Sequence, residues 1–245
     1  MNKVFRRCLH LSVLVISAQI VSSTAMADNV LTEKQKQDGW QLLFDGKSMN
    51  QWRNFKSSDL SAQWVVENGA MKLAGKGGGD ILTKKAFKNF ELHLEWKISE
   101  AGNSGIFILA DEEGPYIYSH APEIQILDNE RHSDNKIDSH LSGSLYDLMA
   151  SPASSHKVAG EWNQVRIRFV DGFLQVWQND VQTVNITMGS STWNTLVSNS
   201  KFGRQRADNS PNPFAGFGTT RSGHIGLQDH GDEVSFKNIK ILELK

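Results

Sequence analysis

The sequence predicts an all-β protein, a two-sheet antiparallel sandwich of jelly-roll type. Three observations carry that expectation. About a dozen short strand-like runs follow Gly39, tight-turn pairs such as Asn68-Gly69 separate them, and no amphipathic helical pattern longer than two turns interrupts them.

The chain opens on Lys3, Arg6 and Arg7, continues through an apolar run from Leu9 to Val21, and reaches Ala25-Met26-Ala27. A positive n-region, an apolar h-region and an A-x-A box form an export signal, so residues 1–27 are expected to be removed. The apolar run is too short to span a bilayer comfortably. The mature protein, starting at Asp28, is therefore expected in the periplasm or outside the cell. The single cysteine, Cys8, sits inside this leader. What remains has no thiol for catalysis or zinc binding and no disulfide, so its own core must stabilise it.

Residues 28–38, DNVLTEKQKQD, form a polar lead-in or a short helix, and residues 39–245 form one domain. Strands are expected at 63–67, 70–73, 81–83, 90–98, 105–110 and 123–127, then at 164–170, 173–178, 181–187, 224–228 and 233–243. Asn68-Gly69, Asp171-Gly172 and Asn179-Asp180 punctuate them as hairpin turns. In FELHLEWKI (90–98), Phe90, Leu92, Leu94, Trp96 and Ile98 alternate with Glu91, His93, Glu95 and Lys97, the pattern of a half-buried strand with one wet face. The long stretches 111–122, 128–160 and 189–222 are read as loops outside the core, forming the rim of a binding face. Of the tryptophans, Trp52, Trp64, Trp96, Trp162 and Trp177 fit core patterns, while Trp193 lies in a long loop and is free to stack on a sugar.

The formal net charge is −1, and the leader holds three of the 26 Lys and Arg but none of the 27 acidic residues. The mature chain is thus mildly acidic with scattered basic residues, which excludes a phosphate-binding face for nucleic acid. No second membrane segment follows residue 27, and the oligomeric state is left open.

The segment Glu123-Ile124-Gln125-Ile126-Leu127-Asp128 carries the most chemistry. With Ile124 and Ile126 facing the core, Glu123 and Gln125 share the opposite face, and a β-bulge at Leu127-Asp128 would bring Asp128 to it. The row resembles the two-carboxylate strand of jelly-roll glucan hydrolases, but its middle member is an amide. A solvated strand face is the plain alternative. Gln228 and His230 end another strand, and histidine moves protons near neutral pH. Asn103 precedes a strand and is set to aim its amide at a cleft, while Tyr146 sits in a long loop where it can meet sugar hydroxyls. Asp128, Asn129, Asp134, Asn135 and Asp138 offer oxygens to a divalent cation such as calcium, without EF-hand spacing. No other cofactor is implied, because no Walker loop, dinucleotide fingerprint, nucleophile elbow or zinc motif occurs.

The segments GWQLLFDGKSMNQW (39–52), WVVENGAMKL (64–73), FKNFELHLEWKISEAGNSGIFI (87–108), EIQILDN (123–129), GSLYDL (143–148), GEWNQVRI (160–167) and GHIGLQDHGDEVSFKNIKI (223–241) together resemble the 3-keto-disaccharide hydrolase domain family. They span nearly the whole mature chain, and the 198–222 stretch is where it departs most. The resemblance implies a concanavalin-A-like jelly roll acting on glycosides whose C3 hydroxyl has become a ketone. Such a ketone acidifies the C2 proton, so a base can form an enolate and the C1 substituent can leave, with water adding back. The resemblance points to Glu123 and His230 as catalytic residues and to Asn103, Gln125, Tyr146 and Lys201 as substrate-binding residues, and the strand faces add Asp128 and Gln228 to the substrate-binding set. A carbohydrate-binding module on the same fold is the alternative.

Overall fold

The computed structural model describes residues 27–204 and 210–245. Apart from Ala27, the expected export leader lies outside the described residues. Eight strands build the larger sheet. In spatial order these are β11 (Val181–Thr187), β10 (Phe173–Gln178), β9 (Asn163–Val170), β6 (Phe90–Ile98), β13 (Val234–Glu243), β4 (Ala70–Leu73) and β3 (Trp64–Glu67), with β1 (Gln41–Leu42) also pairing with β13. The five-stranded sheet runs β2 (Trp52–Asn54), β5 (Ile81–Thr83), β12 (His224–Leu227), β7 (Asn103–Ala110) and β8 (Glu123–Leu127). Every pairing is antiparallel, as a jelly roll requires.

Local chemistry explains the elements. Along β6 burial alternates strictly from Phe90 to Ile98, so one face packs and the other is wet. The hairpin turns have positive φ at both central residues, 50° and 75° at Asn68-Gly69 and 47° and 90° at Asp171-Gly172. That geometry matches the twist of the flanking strands, and Asn, Asp and Gly tolerate it. The core lies between the sheets, where Leu92, Leu94 and Trp96 of the larger sheet and Ile106, Ile124 and Ile126 of the smaller one belong to a single cluster.

Of the two readings of the lead-in, the short helix is the one present: α1 (Glu33–Asp38) starts at a Thr32/Gln35 capping box and stops at left-handed Gly39. The Asn29 amide meanwhile donates to Gly69 O at 2.8 Å. Elsewhere four expectations need correction. A nine-residue helix, α2 (Ser191–Asn199), occupies part of a stretch read as loop. It buries one tryptophan rather than an amphipathic stripe, which is why periodicity missed it. The long connections also feed the core, through Leu145, Leu148, Trp193, Phe202 and Phe217. Trp193 is 2% exposed and stacks on Phe217, so it is not a sugar platform. Conversely, Trp162 and Trp177 are only half-buried, lying on the outer sheet face under Lys97 and Arg166. Strand alternation does not say which face is covered. Among the described residues, no helix is long and apolar enough to cross a membrane.

Candidate active site

Strand β8 pairs with β7 in continuous register, from Phe107↔Glu123 to Asn103↔Leu127. Ile124 and Ile126 enter the core, and Glu123 and Gln125 project from the opposite face. That face is not solvated, because Glu123 is 5% exposed and Gln125 1%. The chain at 143–146 folds along β8. Tyr146 N–H donates to Glu123 O at 3.0 Å, Gln125 N–H to Ser144 O at 3.0 Å and Gly143 N–H to Gln125 O at 2.9 Å.

The covered face holds a cavity of about 170 Å³. Glu123 and Gln125 form its floor with Asn103 from the start of β7, and Gln228 and His230 enter from the chain after β12. Tyr118, Asp134, Tyr146 and Lys201 arrive from the three long connections. Sequence reasoning placed every residue here in the site except Tyr118, which it did not single out, and Asp134, which it offered only as a cation ligand. Loop residues have no periodicity that would draw them to the site.

Asp128 is the exception in the other direction: it does not line the cavity. The expected bulge is absent, for the β7–β8 register does not shift. Asp128 instead caps the following turn, accepting from Ala101 N–H at 2.7 Å and Glu130 N–H at 3.1 Å. The acidic set proposed for calcium does not converge either. Asn129 accepts from Ser142 N–H, and Asp134 contacts His140 at 2.8 Å and accepts from the Tyr146 hydroxyl at 3.1 Å. Among the described residues, the group with metal-ligand convergence is His132, His230 and Asp232, whose donor atoms lie within 4.8 Å of one another. Asp134 N–H donates to His132 Nδ1 at 3.0 Å, which leaves that neutral ring its proton on Nε2. A cation there would have to displace this bond.

Several contacts set the geometry around Glu123. Gly105 lies opposite Gln125 on β7, and a Cβ there would collide with the Glu123 carboxyl, so glycine makes the room. With its amide oxygen and nitrogen exchanged, the orientation its neighbours favour, Gln125 donates to Ser104 O at 3.1 Å and to Glu123 Oε1 at 3.2 Å. Gln228 is tied to β7 by its own N–H to Gly105 O at 3.0 Å and by Ser104 Oγ donating to Gln228 O at 2.9 Å. Its side-chain Oε1 is buried with no partner, a free acceptor in the cavity wall that asks for a donor such as a hydroxyl.

Burial dominates the electrostatics. Desolvation pushes the Glu123 carboxyl up to about 8, against the attraction of Lys201 and helped by Asp80 and Asp134. Desolvation likewise lowers the Lys201 ammonium, against Glu123, Asp147 and Asp134. Asp80, behind the site, is raised to about 6, mainly by burial. Burial and the neighbouring Asp134 raise the Tyr146 phenol, so its proton stays on oxygen and points at Asp134. Behind this wall His140 bridges Asp134 at 2.8 Å and Asp147 at 3.1 Å and stacks on Tyr146. Asp147 in turn accepts from Lys201 N–H at 2.6 Å.

A larger hollow of about 460 Å³ lies on the outer face of the eight-stranded sheet, among His93, Glu95, Arg166, Trp177 and Lys240. Its arginine is committed to Glu91 at 2.9 Å and lies over Trp177. The smaller cavity is the better candidate, because its ionisable groups converge while desolvated and incompletely paired.

A jelly roll with a small, buried, polar cavity on one sheet face defines a binder of small polar molecules. More narrowly, the chain belongs to the family of 3-keto-α-glucoside-1,2-lyase-like domains, whose profile matches residues 39–242. It is 38% identical over 229 residues to a 3-keto-disaccharide hydrolase of Bacteroides thetaiotaomicron, covering 83% of this chain and 78% of that one. Two crystal structures of provisionally assigned glycosyl hydrolases from Parabacteroides distasonis are similar. One has TM-score 0.78 at 31% identity, over 89% of this chain and 100% of that one. The other has TM-score 0.63 at 28% identity, over 84% and 99%.

Proposed function

We propose that this protein cleaves glycosides carrying a ketone at C3, by removing the C2 proton. The observation that carries the reading is a buried carboxyl, Glu123, sharing one small cavity with a half-buried lysine, Lys201. The kinship with a 3-keto-disaccharide hydrolase supports glycoside cleavage and the ketone requirement. Glu123 is the base: Gln125 orients it, and burial raises its affinity for a proton into the range where general bases work well. Lys201 brings positive charge to the C3 end of the cavity, where negative charge would otherwise build up as the C2–H bond breaks. Asn103, Gln125 and Gln228 supply amide groups to the sugar hydroxyls. Tyr146 gives its proton to Asp134, so toward the sugar it accepts. His230, exposed at the mouth, is placed to protonate the departing C1 oxygen. Water then adds at C1, giving net hydrolysis.

Turnover of an aryl 3-keto-glucoside in D₂O tests this directly. Deuterium should appear at C2 of product or recovered substrate, and kcat/KM should climb with pH toward about 8 as Glu123 ionises. Equal cleavage of the unoxidised glucoside would overturn the proposal, because without the ketone the C2 proton is not acidic enough. We also infer export, on the leader at 1–27. The secreted protein should begin at Asp28, and an intact N-terminus on exported protein would refute cleavage there.

A further inference from the structure

Lys201 is an unusual lysine. Its Nζ lies 4.2 Å from the Tyr146 ring centroid, 5.3 Å from that of Tyr118 and 5.1 Å from that of Phe202. Among the described residues this nitrogen makes no hydrogen bond or ion pair. The chain holds it in place through its own N–H, bonded to Asp147 at 2.6 Å. A merely electrostatic lysine in a buried site is normally matched to a carboxylate, since an unpaired buried ammonium is costly. Here three aromatic rings stand within 5.3 Å of the nitrogen in place of a carboxylate, and the cavity it enters is the one that would receive a ketone. Primary amines in such surroundings condense with carbonyls.

From this geometry, and resting on the function proposed above, we infer that Lys201 is a catalytic residue that forms a Schiff base with the C3 ketone of the substrate. The step balances within the cavity. Lys201 passes a proton to the Glu123 carboxylate, and desolvation favours the neutral form of both groups. The free amine adds to C3, Glu123 returns the proton to the former carbonyl oxygen, and water leaves, giving a protonated imine. Glu123 then takes the C2 proton, and the C2–H electrons form C2=C3 as the C=N π pair moves to nitrogen. The enamine pushes those electrons back, forming C1=C2 and expelling the C1 oxygen, which takes a proton from the site. Water adds at C1 with reprotonation at C2, and a second water hydrolyses the imine, restoring ketone and lysine. One water is consumed overall. The imine nitrogen acts as electron sink, a task a ketone oxygen performs less well.

The test uses the full mature protein, an aryl 3-keto-glucoside and cyanoborohydride, which reduces a protonated imine in preference to a ketone. During turnover, activity should be lost irreversibly only when substrate and hydride are both present. Peptide mapping should locate a single reduced sugar adduct on Lys201. Lys201→Arg keeps the charge but cannot form an imine, so its kcat should fall at least roughly 10³-fold with KM changed little, and it should yield no adduct. Hydride that leaves turnover untouched with no adduct on the unmodified protein would overturn the inference, whatever the variant does. So would Lys201→Arg retaining activity within about tenfold. If the unmodified protein does not cleave the ketone substrate, the functional reading fails; if it cleaves with C2 deuterium but forms no adduct, only the Schiff base fails.

Discussion

Glu91 and Glu123 occupy equivalent kinds of position on the two sheets. Each alternates with core hydrophobes and projects from the outer face of its sheet. Their chemistry is opposite. Glu91 is held down to about 2, first by its hydrogen bond to His93, with burial opposing and Arg166 assisting. Glu123 is driven up to about 8 by burial. The difference lies in what covers them: Arg166 from the neighbouring strand and His93 from its own strand meet Glu91, whereas the 143–146 segment and Lys201 close over Glu123 and leave it short of partners. One sheet face is stabilised by pairing, and the other is kept reactive by incomplete pairing.

The sharpest way to break this contrast is to make the same substitution on both faces. Glu123→Gln should lower kcat on a 3-keto-glycoside roughly 10³-fold, within the usual range for general acid–base groups. Glu91→Gln should leave it within about twofold. Steady-state kinetics on the pair decide it, and comparable losses in both would show that the assigned face is wrong. Gly105→Ala attacks the covered face from beneath, because the new Cβ collides with the Glu123 carboxyl. It should cost activity on the order of 10²-fold and stability about 1–3 kcal/mol, the usual cost of overpacking. Unchanged kinetics would mean that the position of Glu123 is not critical.

His140→Ala loosens the cover without touching the cavity. Losing both aspartate contacts should lower kcat/KM about tenfold and stability about 1–2 kcal/mol. Full activity would show that the wall stands without its bridge.

The smallest effects concern stability against pH. Glu123 binds its proton more tightly folded than unfolded, so its contribution is intact below about 4.5 and lost as pH rises through about 8. Glu123→Gln should therefore raise Tm at pH 8 on the order of 5 °C and change it little at pH 4, as read by thermal melts. Glu91 has the reverse sign: its stabilisation is present above about 4.5 and disappears as pH falls through about 2. Glu91→Gln should cost only about 1 kcal/mol at neutral pH, because solvent screens part of the pair. The same pH slope in both variants would erase the contrast.

Much of this was written in local sequence. Alternation in FELHLEWKI and EIQIL, with Asn-Gly and Asp-Gly at the turns, determined the strands, their faces and the antiparallel class, because a strand repeats every two residues and a hairpin turn demands positive φ. The same alternation aligned Glu123 with Gln125. It could not say whether that row met water, nor that Glu91 in the equivalent row would meet Arg166 and His93. It misplaced Asp128, whose carboxylate a turn captures, and Trp193, which a helix carries into the core. It passed over Tyr118, offered Asp134 only to a cation, and left Lys201 on the family resemblance alone. These side chains stand on connections whose course is fixed by distant contacts such as Asp147 with Lys201, 54 residues apart. Burial, and with it the proton affinity of Glu123, was decided only when those connections closed over the sheet, since desolvation depends on everything that surrounds a group and not on its neighbours in the chain.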